Sequence, residues 1–472
     1  MRRIILSLCG VFMLSLTLVA GTIPKTEKPN IIVILADDLG YGDLGCFGSE
    51  YVNTPVLDGL ARKGLRLTNF YAGSTVCSPS RAALMTGRNH NRVGVYSWIP
   101  PRNPMHLPEE EVTIAEVLKK SGYQTAHFGK WHLSTWDMKD PSVLDPPLDR
   151  YGFDYWYACA NNAVPSQRDP VSFVLNGKPL GKQKGFSCQL AADRAITWLE
   201  EHRSDDAPFY LQLWFTEPHE VVKAPAAYRE RHLQNGLDEK HADYYGCIEN
   251  MDNAIGRVME KLREMGLSKE TLIVFTSDNG SRYHESNGGL RGKKGDVWEG
   301  GIRVPAIFYW DGQIKHGKKV ASACGLVDFF ATFCELSGNE QATTLAKDGV
   351  SLLPLIKGQP FERGRPVFTF HHFNSMAALR DGDWTLIGYL DGQHPEGPSA
   401  FRKPYLDYIR KTHLGRFELY NLKEDPMQSV DVAHHHPAIA NTMKQQMIAN
   451  FQDVVAAGPD WYTKLEDGGS FR

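Results

Sequence analysis

At 472 residues and a formal net charge of −3, the chain can bury a large core in two lobes and has no global basic field to draw in nucleic acid. Any affinity for an anion must therefore come from local charges. Its eight cysteines are widely and irregularly spaced with no CxxC pair, which argues against a zinc knuckle.

The chain opens with Met1-Arg2-Arg3 and an apolar run over 4–20, the pattern of a secretory signal over 1–21 with cleavage near Ala20 or Gly21. The mature protein is then exported, to a periplasm or to the extracellular space. An uncleaved anchor is the alternative, but the run is slightly short for a full span. No later segment competes, so the mature chain is expected to have no membrane span. With Cys9 inside the run and Cys77 reserved for chemistry, Cys46, Cys159, Cys188, Cys247, Cys324 and Cys334 remain, six that could pair.

Residues 31–36 form a continuous apolar run of the kind buried parallel strands use, ending at Asp37-Asp38 before a glycine-rich loop. Thr54-Pro55 opens a helix through Ala61, a strand spans 65–71, and a loop then turns into a helix at Cys77. Thr113-Ile114-Ala115-Glu116 is a capping box starting an amphipathic helix to Lys120. Gly122 stops that helix, and the next strand delivers Gly129-Lys130-Trp131-His132. Over 152–185 the pattern is irregular and rich in Asn, Pro and Gly, the texture of a long functional insertion and a pocket wall. A helix over 190–202 feeds a strand over 209–215, which ends in Thr216-Glu217-Pro218-His219. A long helix over 241–265, closed by Gly266, leads into a strand over 272–276 and then Ser277-Asp278-Asn279-Gly280. A strand over 304–310 and a helix over 328–336 follow.

This alternation predicts an α/β fold, a large doubly wound mixed sheet flanked by helices over 22–347. Short strands at 366–370, 376–380, 384–389 and 417–420 and a helix over 437–455 predict a smaller C-terminal lobe, 348–472, of antiparallel sheet plus helix. In doubly wound folds ligands bind beyond the carboxyl ends of the strands, where Asp37, Asp38, Lys130, His132, His219, Asp278 and Asn279 all fall. Asp37, Asp38, Asp278 and Asn279 offer only oxygen ligands, three of them anionic, which suits a hard divalent cation, calcium before zinc. Asn279-Gly280-Ser281 also matches a glycosylation acceptor, but an asparagine ligand in a buried pocket could not carry a glycan.

The stretch 77–88 reads Cys-Ser-Pro-Ser-Arg-Ala-Ala-Leu-Met-Thr-Gly-Arg. It puts Cys77 near the positive end of a helix dipole, Pro79 in the first turn and Arg81 one turn on, which suits an activated nucleophile beside a bound anion. The stretch resembles the sulfatase signature, in which the cysteine of Cys-x-Pro-x-Arg is oxidised after translation to formylglycine. Ser80, Thr86, Gly87 and Arg88 match the longer pattern. From Ile31 to the segment 418–422 the chain is similar to formylglycine-dependent, arylsulfatase-type enzymes of the alkaline phosphatase superfamily.

That resemblance implies a sulfuric ester hydrolase holding one calcium ion on Asp37, Asp38, Asp278, Asn279 and the modified Cys77. It implies sulfate-holding and catalytic groups at Arg81, Lys130, His132, His219 and Lys294, and a formylglycine-generating maturation enzyme as partner. Lys293 competes with Lys294, which is preferred because it stands five residues before Glu299-Gly300-Gly301, as in the family pattern. The implied chemistry is in-line attack of a hydrated aldehyde on sulfur, leaving-group protonation assigned to His219, and proton removal for the sulfate-expelling step assigned to His132.

The expected substrate is a sulfated glycan or oligosaccharide rather than a steroid or small aryl ester. Export places the enzyme among extracellular polymers, and the 152–185 wall offers Asn161, Asn162, Gln167 and Arg168 to hydroxyls. Trp131 and Trp298 flank the expected catalytic residues and are candidates to stack on sugar faces, with His284, His371, His372 and Arg402 candidates to rim the opening; each equally fits a surface or packing residue. The resemblance leans towards a galactose- or N-acetylgalactosamine-type unit. The rivals are a phosphomonoesterase or phosphonate hydrolase on the same fold and, were Cys77 never oxidised, a non-catalytic saccharide-binding protein.

Overall fold

Strand β1 (Asn30–Ala36) is buried along its whole length and alternates between two dry cores. Ile31, Val33 and Leu35 join a cluster with Leu84, Leu118 and Phe329, while Ile32 and Ile34 join another with Ala195, Ile248 and Ile255. A strand covered on both faces has no polar side to show, so its sequence is an unbroken apolar run. The computed structural model describes residues 28–137, 144–397 and 401–462. The signal expected over 1–21 lies outside the described residues.

After β1 come α1 (Pro55–Lys63), β2 (Leu65–Tyr71), α2 (Cys77–Thr86), α3 (Ile114–Lys120) and β3 (Gln124–Lys130). The capping box of α3 is closed in both directions, with Thr113 Oγ1 accepting from Glu116 N at 3.2 Å and Glu116 Oε2 accepting from Thr113 N at 2.9 Å. Next are β4 (Tyr155–Cys159), β5 (Val174–Leu175), β6 (Lys178–Pro179), α4 (Ser187–Glu201), β7 (Phe209–Trp214), α5 (Ala226–Gln234) and α6 (Glu239–Glu264). Strand β8 (Thr271–Ser277), β9 (Arg303–Trp310), β10 (Lys318–Val320), β11 (Cys324–Gly325) and α7 (Phe329–Leu336) complete the large unit.

The sheet has eleven strands in the order β10-β2-β9-β8-β1-β7-β3-β4-β5-β6, with β11 also paired to β2. Strands β8, β1, β7, β3 and β4 are mutually parallel, while β9 runs antiparallel to β8 and β2, so the sheet is mixed. The span 152–185, expected to be irregular, instead supplies β4 to the parallel sheet and the antiparallel edge β5–β6. Strands of two residues carry no readable period, but their turn is Asn176-Gly177 with φ of 46° and 78°, the left-handed pair that tight hairpins use.

The second sheet is antiparallel, β12 (Val367–His371), β13 (Met376–Asp381), β14 (Trp384–Leu390) and β15 (Leu414–Asn421) in sequential order, with α8 (Lys403–Lys411) inserted before β15. Helix α9 (Pro437–Ala457) buries Met443, Met447 and Phe451 in the same core as Phe370, Leu379 and Leu386 of this sheet. All seven described cysteines are free thiols, so the pairing left open above is not seen among them. No described helix is long and apolar enough to cross a membrane.

Candidate active site

Strand register brings the expected residues together. In the parallel pairing, Ala36 stands opposite Ser277, so the residues one step beyond, Asp37 and Asp278, emerge side by side. Strand β7 adds Thr216-Glu217 on the other flank, where Asp37 N donates to Glu217 O at 2.9 Å. Strand β3 ends on Lys130 next to Trp214, and Gly129 (φ 117°) is required there because a Cβ would lie 1.8 Å from Trp214 O. Asp38 and His132 have φ of 63° and 56°, left-handed values that non-glycine residues hold at a cost and that turn these side chains at functional sites.

Three carboxylates and three cations interlock at this edge. Arg81, wholly enclosed, donates Nε and Nη2 to Asp278 Oδ2 at 3.0 and 2.8 Å and Nη1 to Lys130 O at 2.8 Å. Lys130 Nζ lies 2.7 Å from Asp37 Oδ2, and Lys294 Nζ lies 2.7 Å from Asp38 Oδ2. Lys294 reaches inward because its N–H donates to Ser281 O and the next N–H, of Gly295, to Thr75 O, both at 2.9 Å; the neighbouring Lys293 is exposed. Burial works against the charge of both lysines, but the facing carboxylates outweigh it and hold them above the ordinary lysine value. Burial would raise Asp38, yet Lys294, His219 and Lys130 bring it well below the usual carboxylate range. Asp278 goes the other way, to about 6, through burial and the charge of Asp37.

Cys77 Sγ and one oxygen each of Asp37 and Asp278 lie within 4.8 Å of one another, and all three residues are buried. Asp37 Oδ1 and Asn279 Oδ1 are buried and lack a hydrogen-bond partner among the described residues. Asn279 Nδ2 donates to Asp38 Oδ1 at 2.8 Å, which directs its oxygen away from that carboxylate. Buried oxygens are normally satisfied, so two orphans beside three carboxylates fit a hard divalent cation. One expectation fails: Cys77 sits at the first position of α2, but burial, with Asp37 and Asp278, pushes its thiol up against the opposing pull of Lys130 and Lys294. Burial and the two carboxylates thus outweigh the neighbouring lysines and favour the neutral thiol over the thiolate.

The two histidines are held as opposite tautomers. His132 Nε2 faces Ile99 O at 3.0 Å, which can only accept, so the proton is there and buried Nδ1 keeps a bare lone pair. His219 Nδ1 faces Glu220 O at 2.7 Å, leaving Nε2 towards Asp38 Oδ2, 3.6 Å away. Burial and Lys294 bring His219 down to about 3, and burial with Lys130 and Arg81 takes His132 well below its usual value, so both rings favour the neutral form.

Several expected substrate contacts are elsewhere. Trp131 is enclosed, stacked 6.0 Å from Trp214, and Trp298 lies under Arg291 at 3.6 Å with 8 % of its surface exposed, so neither presents a face to a sugar. His371 and His372 are buried rather than on the rim, Arg402 is half-buried with Nη2 on Glu396 O, and His284 is exposed in a short turn. Asn162 Oδ1 is 3.5 Å from Lys130 Nζ and Asn161 is half-buried, while Arg168 is exposed. Gln167 is buried with both ends of its amide engaged, so it is not available to a hydroxyl. Sequence reasoning also passed over buried Glu217, which accepts from Ser187 Oγ and Cys188 N, and Asp43, held by Tyr244 Oη at 2.6 Å. Tyr244 is 201 residues from Asp43, and no local pattern reports such a pair.

A sequence model of the family described as Sulfatase matches residues 29–339. The chain belongs to the sulfatase family. Steryl-sulfatase of Mus musculus is 32 % identical over 440 residues, covering 75 % of this chain and 68 % of that protein. N-acetylgalactosamine-6-sulfatase of Mus musculus is 31 % identical over 479 residues, covering 92 % of this chain and 88 % of its own. Among solved structures, Ps i-CgsB in complex with k-i-k-neocarrahexaose superposes with a TM-score of 0.75 at 26 % identity, covering 92 % of this chain and 94 % of that one. This sulfatase is a sulfuric ester hydrolase of the alkaline phosphatase superfamily.

Proposed function

We propose that this sulfatase is exported and desulfates a carbohydrate ester, through formylglycine made from Cys77 by a maturation enzyme and one calcium ion held by Asp37, Asp38, Asp278, Asn279 and the modified Cys77. The observation that carries the site is the enclosed cluster of Cys77, Asp37 and Asp278 with Arg81 and Lys130 packed around it. When present, calcium and the hydrated aldehyde would supply a charge on the sulfuryl oxygens and a hydroxyl nucleophile. Asp37, Asp38 and Asp278 are balanced by Arg81, Lys130 and Lys294, so a divalent ion leaves the pocket cationic and matched to a sulfate monoester.

The remaining steps belong to the chain's own side chains. Arg81, Lys130 and Lys294 hold the sulfuryl group and disperse its charge. Nε2 of His219 takes a proton once the anion raises its basicity and delivers it to the leaving alcohol. Nδ1 of His132, a bare lone pair in a dry site, removes a proton so that sulfate can be expelled.

For the sugar, support comes from relatives that match over most of this chain, one named N-acetylgalactosamine-6-sulfatase and one solved in complex with k-i-k-neocarrahexaose. The steryl-sulfatase similarity, over 75 % of this chain, favours a steroid ester as substrate instead. Comparing kcat/KM on sulfated galactose and N-acetylgalactosamine saccharides with steroid and simple aryl sulfates decides between them. A clear preference for the apolar esters overturns the carbohydrate assignment.

A further inference from the structure

We propose that Gln167 is a positioning residue for proton transfer, aiming the His219 ring by gripping the main-chain carbonyls of the loop that carries it. The proposal rests on the reading that His219 protonates the leaving alcohol.

Gln167 lies in the connection between β4 and β5 and has 2 % of its surface exposed. Its Nε2 donates to His219 O at 2.8 Å and Thr216 O at 3.2 Å, and its Oε1 accepts from Lys223 N at 3.3 Å. Its main chain joins in, with N donating to Val221 O at 3.3 Å and O accepting from Ser187 N at 2.8 Å. One residue thus meets four positions of the 216–223 loop and anchors them to the start of α4.

No helix or strand covers 216–223, so its main-chain groups are met one by one: Thr216 O by His219 N at 3.1 Å, Glu217 O by Asp37 N at 2.9 Å, and His219 O by the Gln167 side chain. Gln167 gives His219 O its donor, adds a second donor to Thr216 O and gives Lys223 N an acceptor; a glutamine amide offers both functions on one side chain, whereas glutamate cannot donate when ionised. The His219 ring is tied to protein through Nδ1 on Glu220 O, one residue from the carbonyl that Gln167 holds. The direction of Nε2 therefore follows the main chain at 219–220. On the other side, Glu220 is secured by Tyr283 Oη at 2.9 Å and by Arg282, so Gln167 is the brace from the insertion side. Misplacing a proton donor by about 1 Å costs on the order of 10²-fold in rate, enough for a distant amide to matter.

The test measures kcat/KM for Gln167→Met and Gln167→Glu on a sugar 6-sulfate and on 4-nitrophenyl sulfate, in the wild-type and His219→Ala backgrounds, with Tm alongside. Both variants keep the side chain's length and lose donors, so if one fails to fold the other carries the comparison. A sugar alkoxide needs a proton on departure and nitrophenolate hardly does. The expected losses are roughly 10–100-fold on the sugar ester and about 3-fold or less on the aryl ester, with the difference vanishing in the His219→Ala background. Equal losses on both esters, or losses that persist after His219→Ala, overturn the positioning role. If His219→Ala itself strikes both esters equally, the acid role falls and takes this proposal with it. A discriminating His219→Ala beside a flat Gln167→Met refutes the positioning role alone.

Discussion

Arg81 is where charge and geometry can be separated, by the change Arg81→Lys. The guanidinium spends three N–H groups at once, two on Asp278 and one on the carbonyl of Lys130. A lysine keeps the positive charge but has one nitrogen, which cannot reach both partners. Losing one charge-assisted hydrogen bond and stranding a buried carbonyl sums to about 3–5 kcal/mol of stability. With one preorganised donor gone from the sulfuryl group, kcat/KM should fall roughly 10²–10³-fold. Differential scanning calorimetry and turnover of an aryl sulfate, both with saturating calcium, read the two effects. Arg81→Met adds a further contrast, since it leaves Asp278 without its cation while Asp37 keeps Lys130. Asp278 stands near 6 even beside Arg81, above its unfolded value, and removing the cation raises it further. A carboxyl with a raised folded value opposes folding when ionised, so in calcium-free protein, where no metal holds Asp278 ionised, the Met variant's deficit should shrink as pH falls from 8 to 5.5. An Arg81→Lys enzyme with wild-type Tm and turnover would refute the reasoning that the fork, not the charge alone, organises the site.

Cys77→Ala should abolish turnover while leaving the fold intact, and intact-mass analysis of the Cys77 peptide should show the modified residue in active enzyme; active enzyme bearing only thiol there rejects the formylglycine reading. Chelation with EGTA should lower Tm and added calcium restore it, by about 2.7 kcal/mol at one hundred times the dissociation constant, and a Tm indifferent to calcium rejects the metal assignment. Burial brings His90 to about 4 and His127 and His371 to about 3. These rings stay neutral when folded but protonate near 6.5 when unfolded, so stability should be complete above that pH and fall progressively towards pH 4, with His127 alone worth roughly 3 kcal/mol by that point. Urea midpoints that do not move between pH 7 and 4.5 contradict this.

What could be read from sequence was whatever has a short period or a fixed spacing. The apolar run of β1 and the strands ending at Lys130, Thr216 and Ser277 announce themselves locally, and strand ends in a doubly wound sheet share one edge. Side-chain direction beyond those ends was not legible. Trp131 and His132 are neighbours, yet His132, turned by its positive φ, directs its Nε2 to Ile99 O while Trp131 stacks on Trp214 in the core. His371 and His372 close a strand of the second sheet and turn inward, a choice made by packing against residues such as Phe401 and Tyr405. Gln167 looked like any polar loop residue because its partners lie about fifty positions away.

The same distinction governs the charges. Counting residue types yields three carboxylates and three cations, but not that Lys130 takes Asp37, Lys294 takes Asp38 and Arg81 takes Asp278. Those pairings decide the chemistry, because each cation is already held by a carboxylate before substrate arrives. On the proposed reading, a sulfuryl group would meet side chains whose direction is set in advance, leaving little reorganisation for the moment of bond breaking. A surface cluster of the same composition would be solvated and screened, and would bind sulfate weakly if at all. It is burial at the shared strand edge, a property of register rather than of composition, that turns these six side chains into a site.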